Sequence, residues 1–304
     1  MGRLTANRWW IYQKERFPLA AHAPLVLTFS YSALSYSSLL RGHHGLPDHR
    51  SAIAAFFTSL MFFLQLRIAD EFKDFEDDSR YRPYRAVPRG LVKLRELGWI
   101  GVATALIQLA LALWITPRLI PLLLLTWTYL ALMSREFFAH DWLKARPFTY
   151  MWTHMAIMPL IDFYVTACDW MPVTGHAPGG LAWFLIISFF NGIVLEMGRK
   201  IRAPEDEENG VETYTFLWGR PTAVRGWLTA LALCAFSALM ASLRIRFALP
   251  VAGVVLLMAI MAGTAASAFL KGPTTKKAKR IEGLSGIWTL LMYLSLGAVP
   301  RFLR

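Results

Sequence analysis

Apolar and polar positions along this chain alternate in long blocks. Apolar stretches lie at roughly residues 18–40, 51–69, 97–116, 118–134, 148–168, 181–198, 222–243, 247–270 and 284–300, against the ~20 residues a helix needs to cross a bilayer core. The pattern predicts an all-α, polytopic membrane protein of about nine transmembrane helices. Pro117 and Pro121 fall at the junction of the third and fourth blocks, and Pro178-Gly179-Gly180 closes the loop before the sixth. Each is a natural break.

Composition supports this reading. The chain is 56% hydrophobic and 14% aromatic, with a mean hydropathy of +0.40; soluble proteins average about 45–50% apolar residues. Residues 1–304 are expected to form one integral-membrane domain. The first apolar run begins late, is long and lacks a small-residue cleavage site, so it is expected to stay as helix one. Cys168 and Cys234 fall at or within spans, have neither metal-ligand nor disulfide spacing, and read as packing residues. Pro300 to Arg304 are expected to carry no anchor or targeting signal.

The formal charge of +12 is a topology signal. Of the 32 Lys and Arg, about 25 fall in the N-terminal segment and every second connection, which the positive-inside rule assigns to the cytoplasm. The expectation is a protein of the cell's inner (plasma) membrane with a cytoplasmic N-terminus. Basic residues spread over membrane loops, with no nucleic-acid-binding motif, argue against a nucleic-acid partner.

The richest chemistry follows the second span. There RIADEFKDFEDDSRYRPYRAVPRG places Asp70, Asp74 and Asp78 at spacings of four, with Arg82, Arg85 and Arg89 directly after. On a helix of ~3.6 residues per turn this lays three carboxylates down one stripe, oxygen ligands suited to a hard divalent cation. The plainer reading is a solvated helix end with a Lys73–Asp77 pair. A second charged loop follows the sixth span: Glu196, Arg199, Lys200, Arg202, Glu205, Asp206, Glu207 and Glu208. Four crossings separate the two loops, so they share a side of the membrane and can meet over one cavity. His154, Asp162 and Asn191 are polar groups inside spans that either line that cavity or are satisfied by neighbouring helices.

These residues resemble the UbiA superfamily of intramembrane prenyltransferases. Its Asn-Asp-x-x-Asp-x-x-x-Asp motif aligns without a gap on Asp70 to Asp78, so that Asp70 stands for the asparagine and Glu71, Asp74 and Asp78 for the aspartates. Arg85-Ala86-Val87-Pro88-Arg89-Gly90 resembles the Arg-Pro-Leu-Pro-x-Gly that follows, with Ala86 in place of the proline. Leu143-Lys144-Ala145-Arg146 resembles a Lys-Arg pair that grips diphosphate, and Asp206 with Gly210 to Gly219 resembles the later signature. Where relatives carry the earlier aspartates of that second motif, this chain has Glu196, Arg199, Lys200 and Arg202.

The resemblance implies a nine-helix bundle with a cytoplasmic-side cavity, a prenyl diphosphate donor and a hydrophobic or aromatic acceptor beside membrane lipid. It implies Mg2+ held by Asp70, Glu71, Asp74 and Asp78 with Glu196 and Asp206 opposite, and catalysis by Asp70, Asp74, Asp78, Glu196 and Asp206. Arg82, Arg85, Arg89, Lys144, Arg146, Arg199 and Lys200 would grip phosphate, and His154, Asp162 and Asn191 would line the substrate cavity. Lys and Arg neutralise phosphate but do not ligate magnesium, so one metal site is expected to be weakened or replaced by fixed cations. Two alternatives stay open here: a terpene cyclase on the same scaffold, and a transporter or lipid-binding accessory protein.

Overall fold

A computed structural model describes residues 7–208 and 210–303. Arg3, one of the N-terminal basic residues, and Arg304 of the tail lie outside them. Among the described residues the secondary structure is helical throughout, in chain order α1 (Arg8–Arg16), α2 (Leu19–Leu40), α3 (His49–Lys73), α4 (Phe75–Tyr81), α5 (Leu94–Ile115), α6 (Ile120–Ser134), α7 (His140–Lys144), α8 (Pro147–Met155), α9 (Ile157–Val173), α10 (Leu181–Arg199), α11 (Tyr214–Trp218), α12 (Arg220–Arg244), α13 (Ala248–Lys271), α14 (Thr275–Leu296) and α15 (Val299–Phe302).

Six of these helices are long and apolar enough to cross a membrane: α3, α5, α6 with the turn before it, α10, α12 and α13. Helices α1 and α2, bent by 52°, make a seventh if counted together. Two of the nine expected spans fall outside this set. The 148–168 stretch folds as α8 and α9, broken at Ala156. Pro159 has no N–H for the Met155 carbonyl, which accounts for a break there. Helix α14 opens with Lys276, Lys277, Lys279 and Arg280, so only its second half is continuously apolar.

Helix α10 packs against α12, α14 and α9, while α2 packs against α3, α9 and α14. The inward face of α2 is small and polar: Ser30, Ser32, Ser35, Ser37 and Ser38 are buried. Small residues let backbones approach where the surrounding lipid gives no hydrophobic drive to associate. Large aromatic and aliphatic side chains fill the remaining core, with Trp227, Trp288, Tyr36, Tyr164 and Phe62 fully buried. Cys168 and Cys234 are free thiols in this core.

A buried amide network ties α3, α5 and α6 together. Gln65 Nε2 and Trp127 Nε1 both donate to Gln108 Oε1, at 2.9 and 2.8 Å, and Gln108 Nε2 donates to the Thr58 carbonyl at 3.1 Å. Gln108→Leu would orphan the Trp127 N–H and leave Gln65 Nε2 with Thr104 as its one acceptor. It is expected to cost ~1–2 kcal/mol in a denaturant titration of the purified protein; an unchanged midpoint would show the network to be slack.

A smaller core of Tyr12, Ile68, Ala86, Val87, Val92 and Leu97 pins the arginine loop and α1 against α3 and α5. Ala86, at the position where the motif expects proline, is completely buried in it. Gly90 turns this loop at φ +79°, a conformation other residues adopt at a cost.

A charged site at one end of the bundle

The first acidic segment is less uniform than its spacing suggests. Helix α3 ends at Lys73 and Asp74 stands at the break before α4, yet the four-residue backbone bonds continue: Asp74 N donates to Asp70 O at 2.9 Å and Asp78 N to Asp74 O at 2.8 Å. The side chains then part company. Asp78 is buried and accepts from Arg82 at 3.2 Å and Arg85 at 2.6 Å. Glu71 is buried beneath Arg16 of α1 in a close ion pair. Arg89 turns outward to the Tyr84 carbonyl and Glu15. That leaves Asp70, whose only side-chain partner is Arg67 at 3.5 Å, and the half-buried Asp74, whose carboxylate takes no hydrogen bond or ion pair among the described residues. Burial pushes the Asp74 carboxyl above its ordinary range; Lys73 offsets part of this and Asp70 adds to it.

On the facing wall, Glu196 near the end of α10 holds Arg199 at 2.6 Å and Lys200 at 3.0 Å. Lys200 also lies over the Tyr214 ring at 5.4 Å, and its carbonyl accepts from Tyr214 N at 3.1 Å. Arg199 is within electrostatic reach of Asp70, which brings the two charged segments to one mouth. The loops touch directly too, Gly210 lying against the Tyr81 ring. Asp206 is tied to a different element. Its carboxylate accepts from Thr275 at 2.9 Å, beside Glu205, and fastens the loop to the start of α14. Glu207 is likewise occupied by Thr213 and Thr215.

Between the walls lies a chain that sequence reasoning missed. Lys73 bonds not to Asp77 but to the Tyr150 hydroxyl at 2.8 Å, which donates in turn to Glu136 at 3.0 Å; Glu136 is also closely paired with His140. Glu136, Phe137 and Phe138 form a left-handed turn, with φ of 47°, 54° and 57°. Such a turn costs about 1–2 kcal/mol per residue. It drives Glu136 inward and lays Phe137 against Tyr129 and His154. His154 stacks on Tyr150 with centroids 3.9 Å apart.

The remaining expected residues scatter. The break at Ala156 takes His154 and Asp162 off a common helical face. Asp162 is fully buried and accepts from Tyr293 at 2.8 Å, and Asn191 accepts from Cys234, so both are tied within the core. Lys144 and Arg146 are exposed, Arg146 covering Trp142. A cavity of about 620 Å3 between α3, α5 and α6 shares Lys73 with the site, but its lining is mostly apolar and includes none of Asp70, Asp74, Glu196 or Arg199.

Magnesium asks for one or two carboxylates when phosphate and water complete its shell. Asp74, without a partner among the described residues, and Asp70, one turn before it and held only by the long 3.5 Å contact to Arg67, fit one such ion. A second acidic cradle is lacking: Glu196 is engaged by its own cations, and no cluster of three or more Asp, Glu, His or Cys among the described residues is arranged to hold a metal.

The site thus sets carboxylates beside fixed cations at one end of an apolar helical bundle. The chain belongs to the UbiA prenyltransferase family, whose model matches residues 29–295. It is an intramembrane prenyltransferase. No curated protein sequence matches it. Among solved structures, a UbiA homologue from Aeropyrum pernix K1 superposes with a TM-score of 0.67 at 13% identity, over 88% of this chain and 95% of that one. A digeranylgeranylglyceryl phosphate synthase gives 0.60 at 15% identity, over 96% and 99%. A UbiA homologue from Archaeoglobus fulgidus, bound to DMAPP and Mg2+, gives 0.55 at 12% identity, over 95% and 99%. At these identities the likeness is one of fold.

Proposed function

We propose that this prenyltransferase, acting as one domain, takes a prenyl diphosphate with magnesium at the charged end of the bundle and transfers the prenyl group to a hydrophobic or aromatic acceptor. The observation that carries this reading is the pairing of the unpartnered Asp74 with Asp70, which is held only by a 3.5 Å contact to Arg67, opposite Arg199 and Lys200, which Glu196 holds in place. The Archaeoglobus homologue, bound to DMAPP and Mg2+, supports the same donor class. A magnesium ion held by Asp70 and Asp74 would neutralise the departing diphosphate oxygens. Arg199 and Lys200 supply fixed positive charge from the other wall, with Lys73 between them, so one ion suffices. Arg82 and Arg85, drawn onto Asp78, shape the mouth. The apolar bundle below excludes water from the allylic cation until the acceptor attacks. Lys and Arg distribution supports a cytoplasmic mouth in the inner membrane.

The test is pyrophosphate release from geranyl, farnesyl and geranylgeranyl diphosphates by protein in nanodiscs, with pooled membrane lipids and quinone precursors as acceptors, and with magnesium or chelator. Magnesium-dependent release is expected, with a prenylated acceptor as product. No release from any donor would overturn the reading, and a cyclised hydrocarbon formed without acceptor would replace transfer with cyclisation.

A further inference from the structure

Helices α5 and α6 are joined at one end by the turn at Pro117 and tied midway by the bond from Trp127 to Gln108. Toward the charged end they part, and the cavity of about 620 Å3 opens between them over α3. On α5 its lining is Gly98, Gly101 and Ala105, side chains too small to fill the space. A Cβ built on Gly101 would meet nothing within 4 Å. Phe72 and Val102, both in the lining, are 47% and 50% exposed, so the cleft faces the surrounding membrane and is not sealed in the core.

Depth and charge say what fits there. Along α3 the lining runs from Gln65 to Lys73, ~12 Å of helix, against the ~15 Å of hydrocarbon in one leaflet. The inner end is closed by the amide network of Gln65, Gln108 and Trp127. The outer end is basic. Arg135, just past α6, is exposed, and its guanidinium has no hydrogen bond or ion pair among the described residues. Lys73 spends one of its three hydrogens on Tyr150. No acidic side chain is among the described residues of the lining, and Glu136, next to Arg135, is buried against Tyr150 and His140. An apolar cleft of leaflet depth that begins at an unpaired cation suits a molecule with an anionic head and an apolar chain, and basic pockets between membrane helices take lipid headgroups in this way.

We propose that the cleft between α5 and α6 holds one anionic phospholipid from the leaflet at the charged end. Its phosphate sits on Arg135, and one acyl chain lies over Gly98, Gly101 and Ala105 down to the amide network. The lipid is held and not consumed: Asp70, Asp74, Arg199 and Lys200 are all outside the lining. Lys73 belongs to both places, so the bound phosphate lies beside the wall that carries the candidate magnesium ligands.

The experiment is native mass spectrometry of the full-length protein in detergent, titrated with phosphatidylglycerol or phosphatidylcholine of matched chains. Expected is one retained phosphatidylglycerol, preferred about fivefold, the effect of one cation near a headgroup. Arg135→Gln should bring the two lipids to parity. Arg95→Gln, in the first turn of α5 but outside the cleft, should leave the preference intact. Gly101→Leu should fill the cleft and expel either lipid. Arg135 is exposed, so its variant reads binding even if Gly101→Leu folds poorly. Equal affinity for the two lipids, a loss in Arg95→Gln as large as in Arg135→Gln, or undiminished binding by folded Gly101→Leu would overturn the proposal. So would displacement of the lipid by farnesyl diphosphate with magnesium, which would make the cleft a channel for the donor's tail.

Discussion

Asp74→Asn is expected to lower pyrophosphate release on the order of 10³-fold while leaving the protein at least as stable as the native chain. The two halves of this expectation have one origin. Asp74 is half-buried, carries no partner among the described residues and has its carboxyl pushed upward by burial, against the pull of Lys73 and with a further push from Asp70. A raised carboxyl means that the fold disfavours the ionised form. Above the unfolded carboxylate range, near neutral pH, that ionised group therefore costs stability, and the amide removes the cost. What the amide cannot do is offer a negative oxygen to a cation, and so half of the free carboxylate pair is lost. Asp78→Asn should behave differently, because it strips Arg82 and Arg85 of their shared buried partner and lowers stability together with activity. The check is pyrophosphate release and the unfolding midpoint measured on the same preparations. Turnover retained in Asp74→Asn would remove Asp74 from the chemistry; a fallen midpoint would make the loss structural.

How much of this site could be read in the sequence depended on whether partners lie near one another along the chain. Arg82 and Arg85 reach Asp78 within seven residues, and Arg199 and Lys200 reach Glu196 within four, so both charged segments announce themselves as local clusters. Spacing does not tell which carboxylates those cations consume. Glu71 and Asp78 share a motif with Asp70 and Asp74 but are closed off by arginines, one of them Arg16, 55 residues away. The Lys73–Tyr150–Glu136 chain spans 77 residues at its first link and depends on a left-handed turn of Glu136-Phe137-Phe138 in which no glycine signals the backbone conformation. Asp206 shows a further use of an acidic run. Its place in an acidic run suggests a ligand, whereas the fold uses it to fasten a loop through Thr275.

The bundle itself was legible for a different reason. Nine apolar blocks are a one-dimensional signal, and lipid leaves helices as the way to satisfy their backbones. What that signal misses is continuity within a block, as Pro159 below Ala156 and the lysines opening α14 demonstrate. The helical break at Ala156 matters to the site, because it is what takes His154, beside Tyr150, out of register with Asp162 in the core.

Gly297→Ala is expected to destabilise the bundle by about 3 kcal/mol or more, the largest effect of an added methyl group among the described glycines. Gly297 follows the last turn of α14, where that helix crosses α2. A Cβ built on it would stand 2.6 Å from Ser32 Cβ and closer still to the backbone oxygen and Cα of Ser32. Real Cβ atoms essentially never approach within 3.0 Å, and backbone has no rotamer by which to yield. The two helices would have to part, opening the serine-lined face of α2 to a poorer fit. Gly198 is also crowded, its Cβ standing 2.7 Å from Ser285 Cβ, but the nearest backbone atom, Glu282 Cα, is 3.6 Å away, so Gly198→Ala should cost less than Gly297→Ala. Gly263 on α13 provides the control: its Cβ would meet nothing within 4 Å, and alanine there should be neutral or gain up to ~1 kcal/mol from helix propensity. Unfolding midpoints of the three variants in detergent should therefore order Gly297→Ala lowest, Gly198→Ala between and Gly263→Ala at or above native. A native-like midpoint for Gly297→Ala would mean that α2 and α14 do not cross as closely as Ser32 and Gly297 imply.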